Sequence, residues 1–318
     1  MKTLNYIEKL QESANIFNSI TCMGLDPVME AYPEKFASKG IRAFPDYLEG
    51  VFKKMEEEAV FVSMFKPNKG FYMQHDDPMN KRFDGTVALV DVINLVRDYF
   101  PDAVLNLDLK EGDIGKSSAN YAKALFNFDV DAGTVHGYMG TDSVMPFAEY
   151  TKKGKGIYTL VRTSNPGAED FESQKMKDGH TLFEHVAEQL VDWAKYGSHG
   201  REKMVKWDHP MSGLGAVVGA TNLSELGTVA SYLTSHNIPV LIPGVGGQGG
   251  KGDEVMAKLI EVGYTLQDLA LVRINSSSGL TQPWMKVKQP IPTVDDFAIE
   301  VVKSIDKLNK EINYKHVA

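Results

Sequence analysis

The sequence predicts an α/β protein of the (β/α)₈, or TIM-barrel, class. It reads as a single domain over residues 1–318, with an extra helix at the N-terminus and a long excursion, 163–212, after the fifth strand. Three observations carry that prediction. About eight apolar runs alternate with segments of helical period. The runs are continuously apolar rather than alternating, as expected of parallel strands covered on both faces. Charged, hydroxyl and glycine residues collect at the carboxyl ends of the runs, and a barrel gathers those ends at one mouth. The competing arrangement is a doubly wound open sheet. That fold would put a glycine-rich nucleotide turn after the first strand, and Leu25-Asp26-Pro27 is not one.

The elements follow in order. Asn5 to Phe17 has helical spacing, with Tyr6, Leu10 and Ile16-Phe17 as its apolar positions. Ile20 to Leu25 reads as the first strand, Asp46 to Glu57 as a helix, and Ala59 to Phe65 as the second strand, running into Lys66-Pro67-Asn68. Val87 to Phe100 is helical, and Ala103-Val104-Leu105 leads the third strand into Asp108. Ser117 to Phe128 is a helix, Val130 to Val135 the fourth strand, Ser143 to Lys152 a short helix, and Gly156 to Val161 the fifth strand. The excursion contains a helix from about Leu182 to Tyr196 and a charged run, Arg201 to Asp208. Gly215 to Gly219, Ile238 to Ile242 and Leu269 to Ile274 are the last three strands, with helices at Leu223–Ser235, Glu254–Val262 and Asp296–Ile312.

Composition narrows the function classes. Hydrophobic residues make up 43% and charged residues 24% of the chain, enough for a sizeable core. A net charge of −8 without a Lys/Arg block argues against a nucleic-acid surface. The single cysteine, Cys22, excludes an internal disulfide and a multi-cysteine zinc site, and reads as a small buried hydrophobe. The N-terminal stretch has no signal-peptide core, and no apolar run is long enough to cross a bilayer, so a cytoplasmic protein is expected.

The chemistry concentrates at the third strand. Asp108 and Lys110 stand two residues apart, so on a strand both project to one face, and Asp113 follows Gly112, a residue able to turn the chain back. Such a trio is costly to bury and tends to occur where chemistry needs it. The plainer alternative is a helix start, with Asp113 as cap and Lys110 as a solvated neighbour. In a barrel Asp26, Lys66, Asp108, Lys110, Asp113, Ser164, Gln248 and the Ser276 region share one mouth. Pro243-Gly244-Val245-Gly246-Gly247-Gln248-Gly249-Gly250 follows the seventh strand, where barrels place phosphate sites, and its N–H groups suit an anion. No metal site is expected: the histidines are scattered, and Lys110 separates the candidate carboxylates. His136 reads as a packed strand-end residue, and Trp193, Trp207 and Trp284 as packing.

Asp108-Leu109-Lys110-Glu111-Gly112-Asp113-Ile114 closely resembles the Asp-x-Lys-x-x-Asp-Ile signature of the orotidine 5′-phosphate decarboxylase family. Gly24-Leu25-Asp26-Pro27, Phe65-Lys66-Pro67-Asn68, Thr163-Ser164-Asn165-Pro166-Gly167 and the Pro243–Gly250 loop resemble its other strand-end motifs, in family order. Gly137 to Ser143 and the long excursion are similar to the longer, type 2 branch. The resemblance implies a homodimeric barrel that converts orotidine monophosphate to UMP and CO₂ without metal or organic cofactor, in pyrimidine biosynthesis. It implies a catalytic tetrad of Lys66, Asp108, Lys110 and Asp113, with Asp113 and Ser117 entering the partner's site. Lys110 would stabilise and protonate the C6 carbanion. Asp26 would hold ribose, Ser164 the pyrimidine, and Gln248 with Gly249 and Gly250 the phosphate, with Asn68 and Pro243 also at the substrate. One departure stands out. The family pattern Asn-Ser-Ser-Arg-Gly reads Asn275-Ser276-Ser277-Ser278-Gly279 here, which leaves Arg273, Lys251 and Lys286 as candidate replacement cations. Two other functions compete: a Mg²⁺-dependent sugar-phosphate lyase of the same suprafamily, and a nucleotide-binding relative with lost or weakened turnover.

Overall fold

The computed structural model describes residues 4–32, 34–196, 213–247, 249–286 and 294–316. Eight strands form a closed barrel in chain order. They are β1 (Thr21–Gly24), β2 (Met64–Lys66), β3 (Val104–Glu111), β4 (Ala132–Val135), β5 (Gly156–Arg162), β6 (Leu214–Val218), β7 (Val240–Ile242) and β8 (Val272–Ser276). Neighbours pair in parallel, and β8 closes on β1 with Thr21 opposite Ile274. Helices Phe44–Glu57, Asp84–Tyr99, Gly115–Phe126, Thr141–Ala148, Leu182–Tyr196, Leu223–Thr234, Gly252–Glu261 and Val294–Ile312 follow the strands one by one. The barrel, rather than the open sheet, is therefore the architecture.

The apolar continuity of the strands follows from their burial on two faces. On β1 to β3, Met23, Phe65, Leu105 and Leu107 join the layer between barrel and helices, whereas Cys22, Met64 and Val104 fill the interior. The interior is sealed at the amino ends of the strands by the helix Tyr6–Ile16. Asn5 caps that helix in a reciprocal pair with Glu8, at 2.9 Å in both directions. Its Tyr6, Ile7 and Leu10 are buried against Cys22, Tyr158, Val217 and Leu241, each contributing on the order of 2 kcal/mol. The Tyr6 hydroxyl donates to that of Tyr158 at 3.0 Å. Gly156 is required under this plug, since a Cβ there would stand 2.3 Å from the Tyr6 ring. Cys22 is buried in the same layer, and burial pushes its thiol up to about 12.

The floor also holds Arg273, which is fully buried. Its guanidinium donates to the carbonyls of Leu10 (2.7 Å), Val272 (2.7 Å) and Ala270 (3.0 Å). The expectation that Arg273 binds substrate is thereby corrected: the side chain runs down to the plug, away from the mouth. Two strand assignments also shift. Ala59 to Val62 forms the turn out of a helix, with Ala59 at φ 52°, so β2 begins only at Met64. Leu266–Leu269 is a helical turn started by a Thr265–Asp268 capping box, so β8 begins at Val272. Trp193 and Trp284 are buried, the latter donating to the Ala31 carbonyl at 2.7 Å. Trp207 and the charged run 201–208 lie outside the described residues.

Candidate active site

The carboxyl ends of the strands surround a cavity of about 530 Å³. Its floor is an alternating row of charges. Lys66, the last residue of β2, places Nζ 2.8 Å from Asp108 Oδ2, and the two side chains are only 5% and 7% exposed. Lys110 places Nζ 2.6 Å from the other oxygen, Oδ1, and remains 45% exposed. Asp108 thus bridges one buried cation and one that faces the cavity. Burial alone would raise the Asp108 carboxyl, but Lys66 and then Lys110 outweigh it and hold it far below the usual carboxylate range. Burial opposes the charge on Lys66, and Asp108 and Asp26 outweigh that too, holding its ammonium above the ordinary lysine value.

The shared face of Asp108 and Lys110 is reached through a local irregularity. The β3–β4 register passes from Leu107 opposite Gly133 to Glu111 opposite Val135, and within that step Lys110 takes φ 50°. Left-handed backbone is unfavourable for a residue with a Cβ. The neighbour across the step is Thr134, which no sequence motif marks and whose Oγ1 lies 2.7 Å from Asp108 Oδ1.

Asp26, just past β1, is buried and accepts from the Asn68 amide at 3.1 Å and from the Ser277 hydroxyl. Burial raises its carboxyl, and Lys66 and Ser277 only partly offset this. Ser277 fits because Gly24 has no side chain: a Cβ there would stand 1.9 Å from Ser277 Oγ. On the opposite wall, Thr163, Ser164 and Asn165 line the cavity. Their loop is braced by Arg162, whose guanidinium meets Glu225 at 2.7 Å, Glu169 at 2.8 Å and Glu172 at 3.3 Å. Glu172 in turn accepts from both the amide and the hydroxyl of Thr163, each at 2.7 Å. Gly219 lets the loop approach, since a Cβ would be 2.9 Å from that of Ser164. This brace joins β5 to the excursion and to Glu225, 63 residues after Arg162, and nothing local in the sequence joins its members.

Several expected positions stand elsewhere. Asp113 does not fold back on Lys110; it accepts from the Ile114 amide at 2.7 Å, and neither it nor the exposed Ser117 lines the cavity. Gly112 serves close packing instead, because a Cβ would be 3.0 Å from the His136 carbonyl. The Asn68 carboxamide caps the turn Lys69–Met73, accepting from Gly70 at 3.0 Å, and so is not a lining group. In the glycine loop Pro243, Gly244, Val245 and Gly247 line the cavity, whereas Gly249 and Gly250 do not. The amides of Gly246, Gly247, Gly249 and Gly250 donate to carbonyls of the same loop at 2.8–3.2 Å, so they are not the open anion nest that was expected. Gln248 and the Lys286 side chain lie outside the described residues. Lys251 pairs with Glu254 at 2.6 Å on the surface. Ser277 and Ser278 line the wall beside the glycine loop, and among the described residues Lys66 and Lys110 are the only cations lining the cavity.

Comparison with known proteins agrees with this architecture. A family model described as "Orotidine 5'-phosphate decarboxylase / HUMPS family" matches residues 19–263. A protein of Bordetella avium named orotidine 5′-phosphate decarboxylase is 34% identical over 248 residues, covering 78% of this chain and 80% of its own. One of the same name from Bacteroides fragilis is 31% identical, covering 86% and 87%. The solved structure of Leishmania donovani OMP decarboxylase superposes with a TM-score of 0.69 at 24% identity, covering 99% of this chain and all of its own (100%).

Proposed function

The chain belongs to the orotidine 5′-phosphate decarboxylase / HUMPS family, and on that premise we propose that it decarboxylates orotidine 5′-phosphate to UMP and CO₂. The observation that carries the proposal is the row Lys66–Asp108–Lys110, with its one accessible ammonium facing the cavity. Breaking the bond between C6 and the carboxylate leaves an electron pair on C6 with little resonance relief. The Lys110 ammonium stabilises that charge through space and then delivers its proton to C6, giving UMP; CO₂ departs and solvent reprotonates the amine. Asp108 holds the Lys110 ammonium in place at 2.6 Å, and Lys66 keeps Asp108 ionised.

In this reading Asp26 binds the ribose hydroxyls and Ser164 the pyrimidine. Pro243, Gly244 and Gly247 stand at the phosphate end of the cavity with Ser277 and Ser278, and Gln248, Gly249 and Gly250 are the loop residues assigned to the phosphate. The functional unit is a homodimer of single-domain barrels, acting in the cytoplasm in UMP synthesis, with Asp113 and Ser117 entering the partner's cavity. Half-buried Asp113 and exposed Ser117 both stand outside the chain's own cavity, which supports this, as do exposed Ile114, Tyr121, Tyr138 and Met139 nearby in the chain.

The test is the fall in orotidine monophosphate absorbance with purified protein and EDTA present. Turnover that survives the chelator, with UMP as product, is the expected result; loss of turnover on chelation points to a metal-dependent lyase instead. A second expected outcome concerns Gly24. Gly24→Ala displaces Ser277 from Asp26 and weakens UMP binding by about tenfold or more. Calorimetric titration checks it, and unchanged affinity would remove Ser277 from the binding wall.

A further inference from the structure

We infer that Thr134 is a positioning residue that sets both the charge partner and the backbone shape of Lys110; this rests on the reading of Asp108 and Lys110 given above. Thr134 projects from β4 into the cavity wall and is only 1% exposed. Its Oγ1 has three polar neighbours: Asp108 Oδ1 at 2.7 Å, the Leu109 amide nitrogen at 3.0 Å and the Lys110 amide nitrogen at 3.2 Å. A hydroxyl has one proton and two lone pairs. Two backbone N–H groups can only donate, so they take both lone pairs, and the single proton is left with one destination, Asp108 Oδ1. The hydroxyl orientation is therefore dictated by its surroundings.

That arrangement does two things. It supplies an acceptor to the two amides at the point where the β3–β4 register slips between Leu107 and Glu111, so the ladder carbonyls are replaced by one side-chain oxygen. Lys110 is thereby held at φ 50°, the conformation from which its side chain reaches back over Asp108. It also donates to the same carboxylate oxygen that receives Lys110 Nζ, fixing the rotation of the carboxylate between its two cations. The charged groups around that carboxylate are Lys66 from β2 and Lys110 from β3, with Asp26 beyond β1 facing Lys66. Thr134 adds direction to this set without adding charge.

The experiment compares Thr134→Val, which keeps the shape and removes the hydroxyl, with Thr134→Ser, which keeps the hydroxyl. Thr134→Val lowers kcat by about 10²-fold, the cost of a misplaced catalytic group. KM and UMP affinity stay within about threefold, because the hydroxyl is directed at the protein rather than the ligand. Thr134→Ser restores kcat to within about threefold of the parent. Carbon-13 carboxyl titration gives a readout that simple loosening would not move: the Asp108 midpoint rises in Thr134→Val and returns in Thr134→Ser. Equal kcat in Thr134→Val and the parent, or equal losses in the valine and serine variants, overturns the inference. If the valine variant does not fold, Thr134→Ala takes its place in the same comparison. Should the parent protein fail to turn over orotidine monophosphate, the decarboxylase reading falls, while the Asp108 titration still decides the role of Thr134: a midpoint unchanged in the valine variant overturns it.

Discussion

Lys110→Ala lowers turnover of orotidine monophosphate by ~10⁴-fold or more, with UMP affinity within about tenfold of the parent. The size of the effect follows from the two duties given to one ammonium. Field stabilisation of charge developing at C6 and delivery of the proton each belong to the transition state, so their loss falls on kcat rather than on binding. Lys110 is the member of the charged row suited to this, being half-exposed to the cavity while Lys66 is buried beneath it. The remaining Asp108–Lys66 pair stays neutralised in the variant, so the protein folds and the comparison reports on chemistry.

Asp108→Asn acts differently, reducing kcat by about 10³-fold and stability by about 3 kcal/mol. Lys66 has Asp108 as its ion-pair partner at 2.8 Å and is 5% exposed there, so removing the carboxylate strands a buried cation. The same substitution changes the dependence of stability on pH. Asp108 titrates lower in the folded than in the unfolded chain, so unfolding takes up a proton once the pH drops towards the ordinary aspartate value, near 3.9. Its stabilisation is fully present above that value and is lost as the pH falls through the folded value. Asp26 works in the opposite sense, since its raised carboxyl favours the folded state at low pH and that contribution fades as the pH rises. Urea unfolding from pH 3 to 7 therefore finds the parent's advantage over Asp108→Asn growing with pH and levelling off. An advantage constant across that range would contradict the pairing.

The parts of this architecture that repeat were legible in the sequence. Apolar runs buried on two faces and polar residues at their carboxyl ends are imposed by the barrel itself, and Lys66, Asp108 and Lys110 were found from those ends. Misplacements arose where direction along a strand mattered. Arg273 and Asn275 both face the interior of β8, but Asn275 lines the cavity while Arg273, two residues lower, reaches carbonyls of the plug. Glycine content suggested a loop of open amides, whereas turns at Gly244, Gly246 and Gly249, with φ of 99°, 76° and 98°, let the loop satisfy its own amides. Thr134 and the Arg162–Glu172 brace left no trace because their partners are distant in the chain. A threonine in the apolar stretch Ala132–Val135 looks like any β-branched strand residue until β3 slips beside it.

The most direct test is the release of labelled CO₂ from carboxyl-labelled orotidine monophosphate by the parent protein and by Lys110→Ala, both at saturating substrate. CO₂ released in step with UMP by the parent, and at least ~10⁴-fold more slowly by the variant, is the predicted result. Release by the variant at a rate near the parent's would contradict the assignment of the chemistry to Lys110. No release by the parent would contradict the decarboxylase itself.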